Sequence, residues 1–519
     1  MEKTVIYGVG EQSFEVMRER GCLYVDKTRF IEKITRSGGQ YYFLGRPRRF
    51  GKSLFLSTLK CFFQGRRELF KGLYADTMDW DWKPRPVLYL DLNIEKYQRD
   101  TDLKQVVESM LRTWEKEYGV IPLSDNISVR FKEIIEAAYK KTGERVVILV
   151  DEYDKPLVSN LTNNGMFEYY RDELASLYSN FKSSAEYIRM VFLTGVSRFA
   201  HLSVFSGLNN IDDISFDDQY SSICGISEKE LHSDFETGIN VLANKYGLTS
   251  QEIKQELKER YDGYRFSANG EDIYNPYSII NVMNKEEFRN YWIQSGQASL
   301  LVKQLKRCDT DLESLLNAEC EVESLAGLDL EDPNPVALFY QTGYLTIKKY
   351  NSDFGLVSLG LPNKEVTDGF LRYLLPKYVS LKNSSAGSLI KHFVTDLQNR
   401  GIDDFLQRLQ SFFADIPYEK EMDNEKNIHN ALLVLMKLLG VYVTTEYRTS
   451  NGRIDLFVKT NKYYYIIEIK LNKTAREAMD QINSKDYALP FKTDGKTIIK
   501  IGVNFSTQSR TISDWIVEE

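Results

Sequence analysis

Between residues 20 and 220 four short runs are predominantly apolar and rich in β-formers: QYYFLG (40–45), RPVLYLDL (85–92), RVVILVDE (145–152) and EYIRMVFLTG (186–195). A strand that is apolar at nearly every position, not at every second one, must be covered on both faces. Stretches of helical periodicity separate the runs, as βαβ crossovers require, so this part of the chain predicts an α/β domain with a parallel sheet. Few other features narrow the choice of fold so far.

The first run leads directly into RPRRFGKS (46–53), and SLFLSTLKCFF, a helical pattern, follows. Strand, turn and helix in that order are what a phosphate-binding loop needs, because backbone N–H groups and the helix N-terminus must converge on the anion. In this reading Arg46, Arg48, Arg49, Phe50 and Gly51 form the loop, Lys52 reaches the β- and γ-phosphates, and the Ser53 hydroxyl ligates Mg²⁺. The spacing departs from G-x-x-x-x-G-K-S: Arg46 stands where the first glycine belongs, and Gly45 comes one residue early. A second element supports the loop. The run RVVILVDE ends in two carboxylates, Asp151 placed to hold the Mg²⁺ shell and Glu152 placed to orient or activate the attacking water.

The chain has 519 residues, enough for two to four domains. Its 42% hydrophobic and 27% charged residues are those of an ordinary globular protein. A formal net charge of −7 argues against general coating of nucleic acid, so any such contact must come from a local patch. The five cysteines, Cys22, Cys61, Cys224, Cys308 and Cys320, form no CxxC pair, which argues against zinc or a disulfide frame and for a reducing cytoplasm. The opening MEKTVIYGVGEQSFEV has no signal-peptide pattern, and no apolar run reaches membrane-spanning length. The expected location is cytoplasmic.

From residue 226 the pattern turns helical, and 337–366 reads as a helix end followed by two short strands about an Asn-Ser-Asp-Phe-Gly turn. A helix and hairpin suit a winged-helix-like lid or adaptor. KNSSAGS (382–388) is the expected linker. Beyond it come two helices, then the β-rich YVTTEYR, GRIDLFVK and YYYIIEIK, a helix over about 473–488 and a final strand TIIKIGVNFS. The expected domains are thus 1–225, 226–380 and 389–519.

In the last of these, Asp455 precedes a hairpin turn near Thr460-Asn461, and Glu468 and Lys470 stand two apart on the following strand, so they share a face. Two carboxylates beside a lysine fit Mg²⁺-assisted phosphodiester hydrolysis: the oxygens hold a hard cation, with Asp455 and Glu468 as ligands, and the lysine positions or polarises water. Viewed alone, the pattern is also one that half-buried strands produce. Acidic and basic side chains balance in number over 411–519, so this is no general DNA-coating module.

RPRRFGKS, VDEYDKP and FLTGVSRF (192–199), with FEVMRERGCLYVDKTRFI (14–31), YDGYRF, YNPYS, YLTI and LPNKEV, resemble the bacterial AAA-ATPase-like proteins that carry a C-terminal PD-(D/E)XK nuclease domain. The resemblance extends over nearly the whole chain. It implies that Thr194 reads the γ-phosphate as a sensor and that Arg198 stabilises charge on the transferring phosphoryl group; without it, Thr194 is a strand-end residue and Arg198 a surface arginine. Asp26-Lys27-Thr28 either touches nucleotide or, the favoured reading, caps the helix that begins near Thr28. In the nuclease part the resemblance implies catalytic roles for Asp455, Glu468 and Lys470, with Glu425 as the acid of the first helix and Gln481 orienting phosphate or water; His429, one turn after Glu425, is read as packed or exposed. The implied function is an ATP-binding and hydrolysing protein with a Mg²⁺-dependent nuclease domain acting on DNA or RNA, DNA being favoured, under nucleotide control. ATP and Mg²⁺ are the implied cofactors, with no membrane partner and with homo-oligomerisation open. The competing expectation is a nucleotide-dependent switch whose nuclease-like domain only binds nucleic acid or protein.

Overall fold

The computed structural model describes residues 5–93, 96–161, 163–198, 211–293, 301, 305, 312–328, 335–378, 386–414, 424–440, 447–449, 452–454, 456–460, 462–492, 495–506, 508–509 and 511–519. The chain forms two compact units, the first from residues 1–292 and 316–363, the second from 293–315 and 364–519.

In the first unit the four apolar runs become β1 (Tyr41–Gly45), β2 (Val87–Asp91), β3 (Val146–Asp151) and β4 (Ile188–Gly195), and a two-residue β5 (Asp212–Asp213) adds an edge. All pair in parallel, in the spatial order β2-β3-β4-β1-β5. Every residue of β3 is buried, which explains its unbroken apolar sequence. The crossover helices end where glycine permits a left-handed residue: Thr101–Tyr118 at Gly119 and Ile127–Thr142 at Gly143. Insertion of β4 between β1 and β3 has the main functional consequence: the ends of the first, third and fourth strands meet at one rim, where ligands of open α/β sheets bind.

The helical region of this unit is equally local in origin. Ser227 with Glu230 and Thr249 with Glu252 form capping boxes, and Asn275 caps a helix that opens on Pro276. Leu231, Phe235, Ile239, Leu242, Ile253, Leu257 and Tyr261 form the core of this region. The helix-then-hairpin expectation holds, as Pro335–Gln341 is followed by β9 (Thr346–Asn351) and β10 (Leu356–Gly360). A third strand, β8 (Glu319–Glu321), which the sequence reading missed, joins them. Between them and the parallel sheet in chain order lies a short antiparallel pair, β6 (Ile226–Ser227) and β7 (Ile273–Tyr274).

The second unit places the helices Lys364–Tyr378, Ala386–Gln398, Ile402–Ala414 and Asn424–Gly440 before a sheet. The Ala-Gly-Ser of the expected linker opens the second of these helices, and 382–385 lie outside the described residues. A two-stranded piece, β11 (Tyr447–Thr449) and β12 (Gly452–Ile454), precedes β13 (Leu456–Lys459) and β14 (Tyr463–Leu471), which form a hairpin. The helix Ala475–Ser484 then crosses to β15 (Thr497–Ser506), parallel to β14. The sheet does not end there: β16 (Thr511–Glu518) returns antiparallel along β15. Its sequence TISDWIVE alternates only weakly, which is why it escaped a reading by periodicity.

Candidate functional site

The loop between β1 and the helix Lys52–Phe63 turns on Gly51, whose φ of 97° suits glycine alone. An added Cβ there would meet no atom within 4 Å, so the concave side is open. The Lys52 side chain is 3% exposed and its ammonium donates to the carbonyls of Arg46 (3.0 Å) and Pro47 (3.3 Å). It also pairs with Glu152 at 3.2 Å. Glu152 occupies a left-handed conformation, φ 52°, which is strained for a residue with a side chain and turns it back toward the loop.

Asp151, at the end of β3, is the hub of the rim. It accepts from the hydroxyls of Thr194 (2.8 Å) and Tyr89 (3.2 Å) and from Ser53. Burial lifts its carboxyl above the usual range, against the opposing pull of the Ser53 and Thr194 hydroxyls and of Lys52. Thus Lys52, Ser53, Asp151, Glu152 and Thr194, from three chain segments, form one constellation. Tyr89 belongs to it and was missed; its position on the strand beside β3 was the only signal.

Asp154 was missed too, although it lies in the same VDEYDKP motif. It is 1% exposed and accepts from the backbone N–H of Val196 (3.1 Å) and Ser197 (2.7 Å), fixing the chain just past Thr194. Gly195 makes this possible, since a Cβ there would lie 2.6 Å from the Asp154 carboxylate. Burial raises the Asp154 carboxyl to about 7. Lys155 follows, its ammonium held below the ordinary range by burial and by the Arg48 guanidinium.

The remaining loop residues have structural partners. The Arg46 guanidinium is 2% exposed, donates to the carbonyls of Gly45, Ser215 and Tyr220, and lies over the Phe266 ring. Its side chain holds the loop to the segment after β5. Phe50 is fully buried, edge-on to Tyr264 and Phe266, and its carbonyl accepts from Gly225. The Arg48 carbonyl accepts from Trp292, and Arg49 lies over Tyr277. The YDGYRF and YNPYS motifs are therefore partly a mount for the loop. Arg198 pairs with Asp213 of β5. In the Asp26-Lys27-Thr28 tripeptide, Asp26 accepts from the Thr28 N–H and hydroxyl, while Lys27 pairs with Glu230 at 2.6 Å. Thr28 itself, at the cap position, makes no side-chain cap bond and accepts from Ala75 instead.

In the second unit Glu468 is 2% exposed, and one of its oxygens accepts from Lys470 (3.0 Å) and from the Gln481 amide. Lys470 also donates to the Gln481 carbonyl oxygen at 2.5 Å, closing a triangle. Gln481 is brought there by a close helix–strand approach. Glu468 stands beside Gly502 in the ladder, and a Cβ at Gly502 would fall 2.5 Å from the Ala475 carbonyl and 2.8 Å from the Met479 nitrogen. Only glycine lets the helix come so near. Ala478 and Tyr487 are buried, the latter in the small core beneath this helix. Asp455 lies outside the described residues, as do the side chains of Glu425 and His429, whose backbone is on the helix Asn424–Gly440. Among the described residues no three His, Cys, Asp or Glu side chains gather as a ready-made metal cage, and no helix is long and apolar enough to cross a membrane.

Comparison with known families agrees with both geometries. Residues 8–205 match the AAA-ATPase-like family, described as a predicted AAA-ATPase, and 423–515 match the PD-(D/E)XK nuclease superfamily. An uncharacterized protein in the vnfD 5′ region of Azotobacter chroococcum mcd 1 is 35% identical over 524 residues, covering 98% of each chain. With both domain matches in order and a relative aligned from end to end, this chain belongs to the AAA-ATPase-like family whose members carry a C-terminal PD-(D/E)XK nuclease superfamily domain.

Proposed function

We propose that the chain binds and hydrolyses ATP at the rim of the parallel sheet and cleaves nucleic acid, DNA in preference to RNA, at the Glu468–Lys470–Gln481 cluster under nucleotide control. The observation that carries the nuclease half is the intact triangle. A buried carboxylate that has kept both a lysine and an amide at hydrogen-bond distance is a costly arrangement for a fold to maintain without use. For the ATPase half, the Gly51 cradle and the Lys52, Arg48 and Lys155 cations fit a polyphosphate, and the Ser53 and Asp151 oxygens fit Mg²⁺.

In this reading Lys52 exchanges its loop carbonyls for phosphate oxygens, Glu152 orients the attacking water, and Thr194 senses the terminal phosphate through its bond to Asp151. Arg198 leaves Asp213 to reach the transferring group. Asp455 is assigned with Glu468 as a metal ligand because in sequence it stands just before the hairpin whose second strand carries Glu468. A hard cation there needs only one or two carboxylates beside water and phosphate. When bound, it would neutralise phosphate charge and acidify water. Lys470, braced by Glu468 and Gln481, holds the water or the phosphate oxygen in line.

The test is cleavage of single- and double-stranded DNA and RNA with Mg²⁺, with and without ATP. Lys470→Ala is expected to lower cleavage at least 100-fold and leave ATP turnover unchanged, whereas Lys52→Ala abolishes turnover and the effect of ATP on cleavage. Cleavage that survives Lys470→Ala overturns the nuclease assignment. ATP binding with no cleavage by the unaltered protein favours the switch reading.

A further inference from the structure

The parallel sheet has a second rim, at the strand starts opposite the loop that carries Lys52. A cavity of about 270 Å³ opens there, lined among others by Gly38, Gly39, Gln40, Phe63, Arg145 and Arg189. Arg145 immediately precedes β3. Arg189 is the extra residue of an irregularity in the β3–β4 ladder, where Val146 pairs with Ile188 but Val147 pairs with Met190. Bulges are rare in parallel pairs, and their effect is to redirect a side chain. Here the redirected side chain is an arginine, delivered to the cavity that Arg145 also lines. Neither guanidinium has a carboxylate within 4 Å among the described residues, whereas Arg85, Arg130 and Arg265 each hold one.

Gly38, Gly39 and Gln40 line the same cavity. Gln40 donates to the carbonyls of Ala185 (2.9 Å) and Ile188 (2.7 Å), fixing the segment that leads into the bulge. Gly39 approaches Tyr42 so closely that a Cβ would lie 2.4 Å from its hydroxyl, and Gly38, at φ 79°, has open space where a Cβ would point. Two guanidinium-bearing residues lining one cavity, with two glycines also in its lining, suit the tetrahedral oxygens of a phosphate.

We propose that this cavity is a second anion site that binds a small phosphate-bearing ligand, a phosphate monoester or a pyrophosphate, through Arg145 and Arg189. It lies a strand length, roughly 17 Å, from the nucleotide loop. The volume holds a phosphate group with a small substituent and excludes a duplex.

The experiment is pyrophosphate binding to the full-length Lys52→Ala variant by equilibrium dialysis, so that the nucleotide loop does not contribute. Saturable binding near one equivalent is expected, weakened at least ten-fold by adding Arg145→Gln with Arg189→Gln and less by Arg145→Lys with Arg189→Lys. Circular dichroism matching that of the parent keeps loss of binding separate from loss of fold, and the lysine pair supplies a second reading if the glutamine pair unfolds. Undiminished binding in the glutamine pair, or none in Lys52→Ala alone, overturns the site. A twelve-nucleotide single strand that binds in an Arg189-dependent way while pyrophosphate does not would overturn the small-ligand assignment.

Discussion

A carboxyl buried beneath the turn after Thr194 carries a cost that depends on pH. Asp154 accepts two backbone N–H groups, yet burial keeps its folded-state pKa near 7, above the ordinary value of 3.8. The folded form therefore holds a proton that the unfolded chain gives up sooner. The associated stabilisation is complete below about pH 4 and is lost as pH rises through about 7. Asp154→Asn keeps an acceptor for Val196 and Ser197 but cannot ionise. Thermal unfolding followed from pH 5 to pH 8 should fall more steeply for the unaltered protein than for the variant, by about 5 °C across the range. Equal slopes would show that Asp154 is ionised throughout. None of this was legible in the sequence: Asp154 and Glu152 are both acids of one motif, and only the turn at φ 52° sends the second to Lys52 and leaves the first inside.

Elements were more legible than residues, and for a physical reason. The four parallel strands announce themselves because double-sided burial demands unbroken apolar sequence, and the capped helices because Ser, Thr and Asn with a following Glu are local signals. What stayed hidden depends on distant partners: β16, half-exposed at the sheet edge, the three-residue β8, and the roles of Arg46 and Phe50 as anchors of the loop. Gly502 belongs with these. In sequence it is one glycine in a strand; in the sheet it is the place where the helix Ala475–Ser484 closes on Glu468. Gly502→Ala must push that helix away, at a cost of about 2–3 kcal/mol, and should carry Gln481 out of reach of Lys470. The expected result is a lower urea midpoint together with loss of Mg²⁺-dependent cleavage and unimpaired ATP turnover; a variant that cleaves normally would show the helix position to be irrelevant to chemistry.

For the whole molecule, the two units do not correspond to two lengths of chain. Residues 293–315 belong with the C-terminal unit, and 316–363 return to the N-terminal one. Ile293 packs where a Cβ on Gly369 would otherwise be, and Leu301, Leu305, Leu312 and Leu315 are all buried. A fragment of residues 364–519 should consequently bind a hydrophobic dye and unfold at lower urea than the same fragment fused to 293–315; equal behaviour would make the detour dispensable. The detour also bears on heredity. A module bounded by one cut at each end can be copied into a new gene and function at once, but no single excision removes either unit of this chain intact. A single crossover inside residues 293–363 would therefore cut through both units at once.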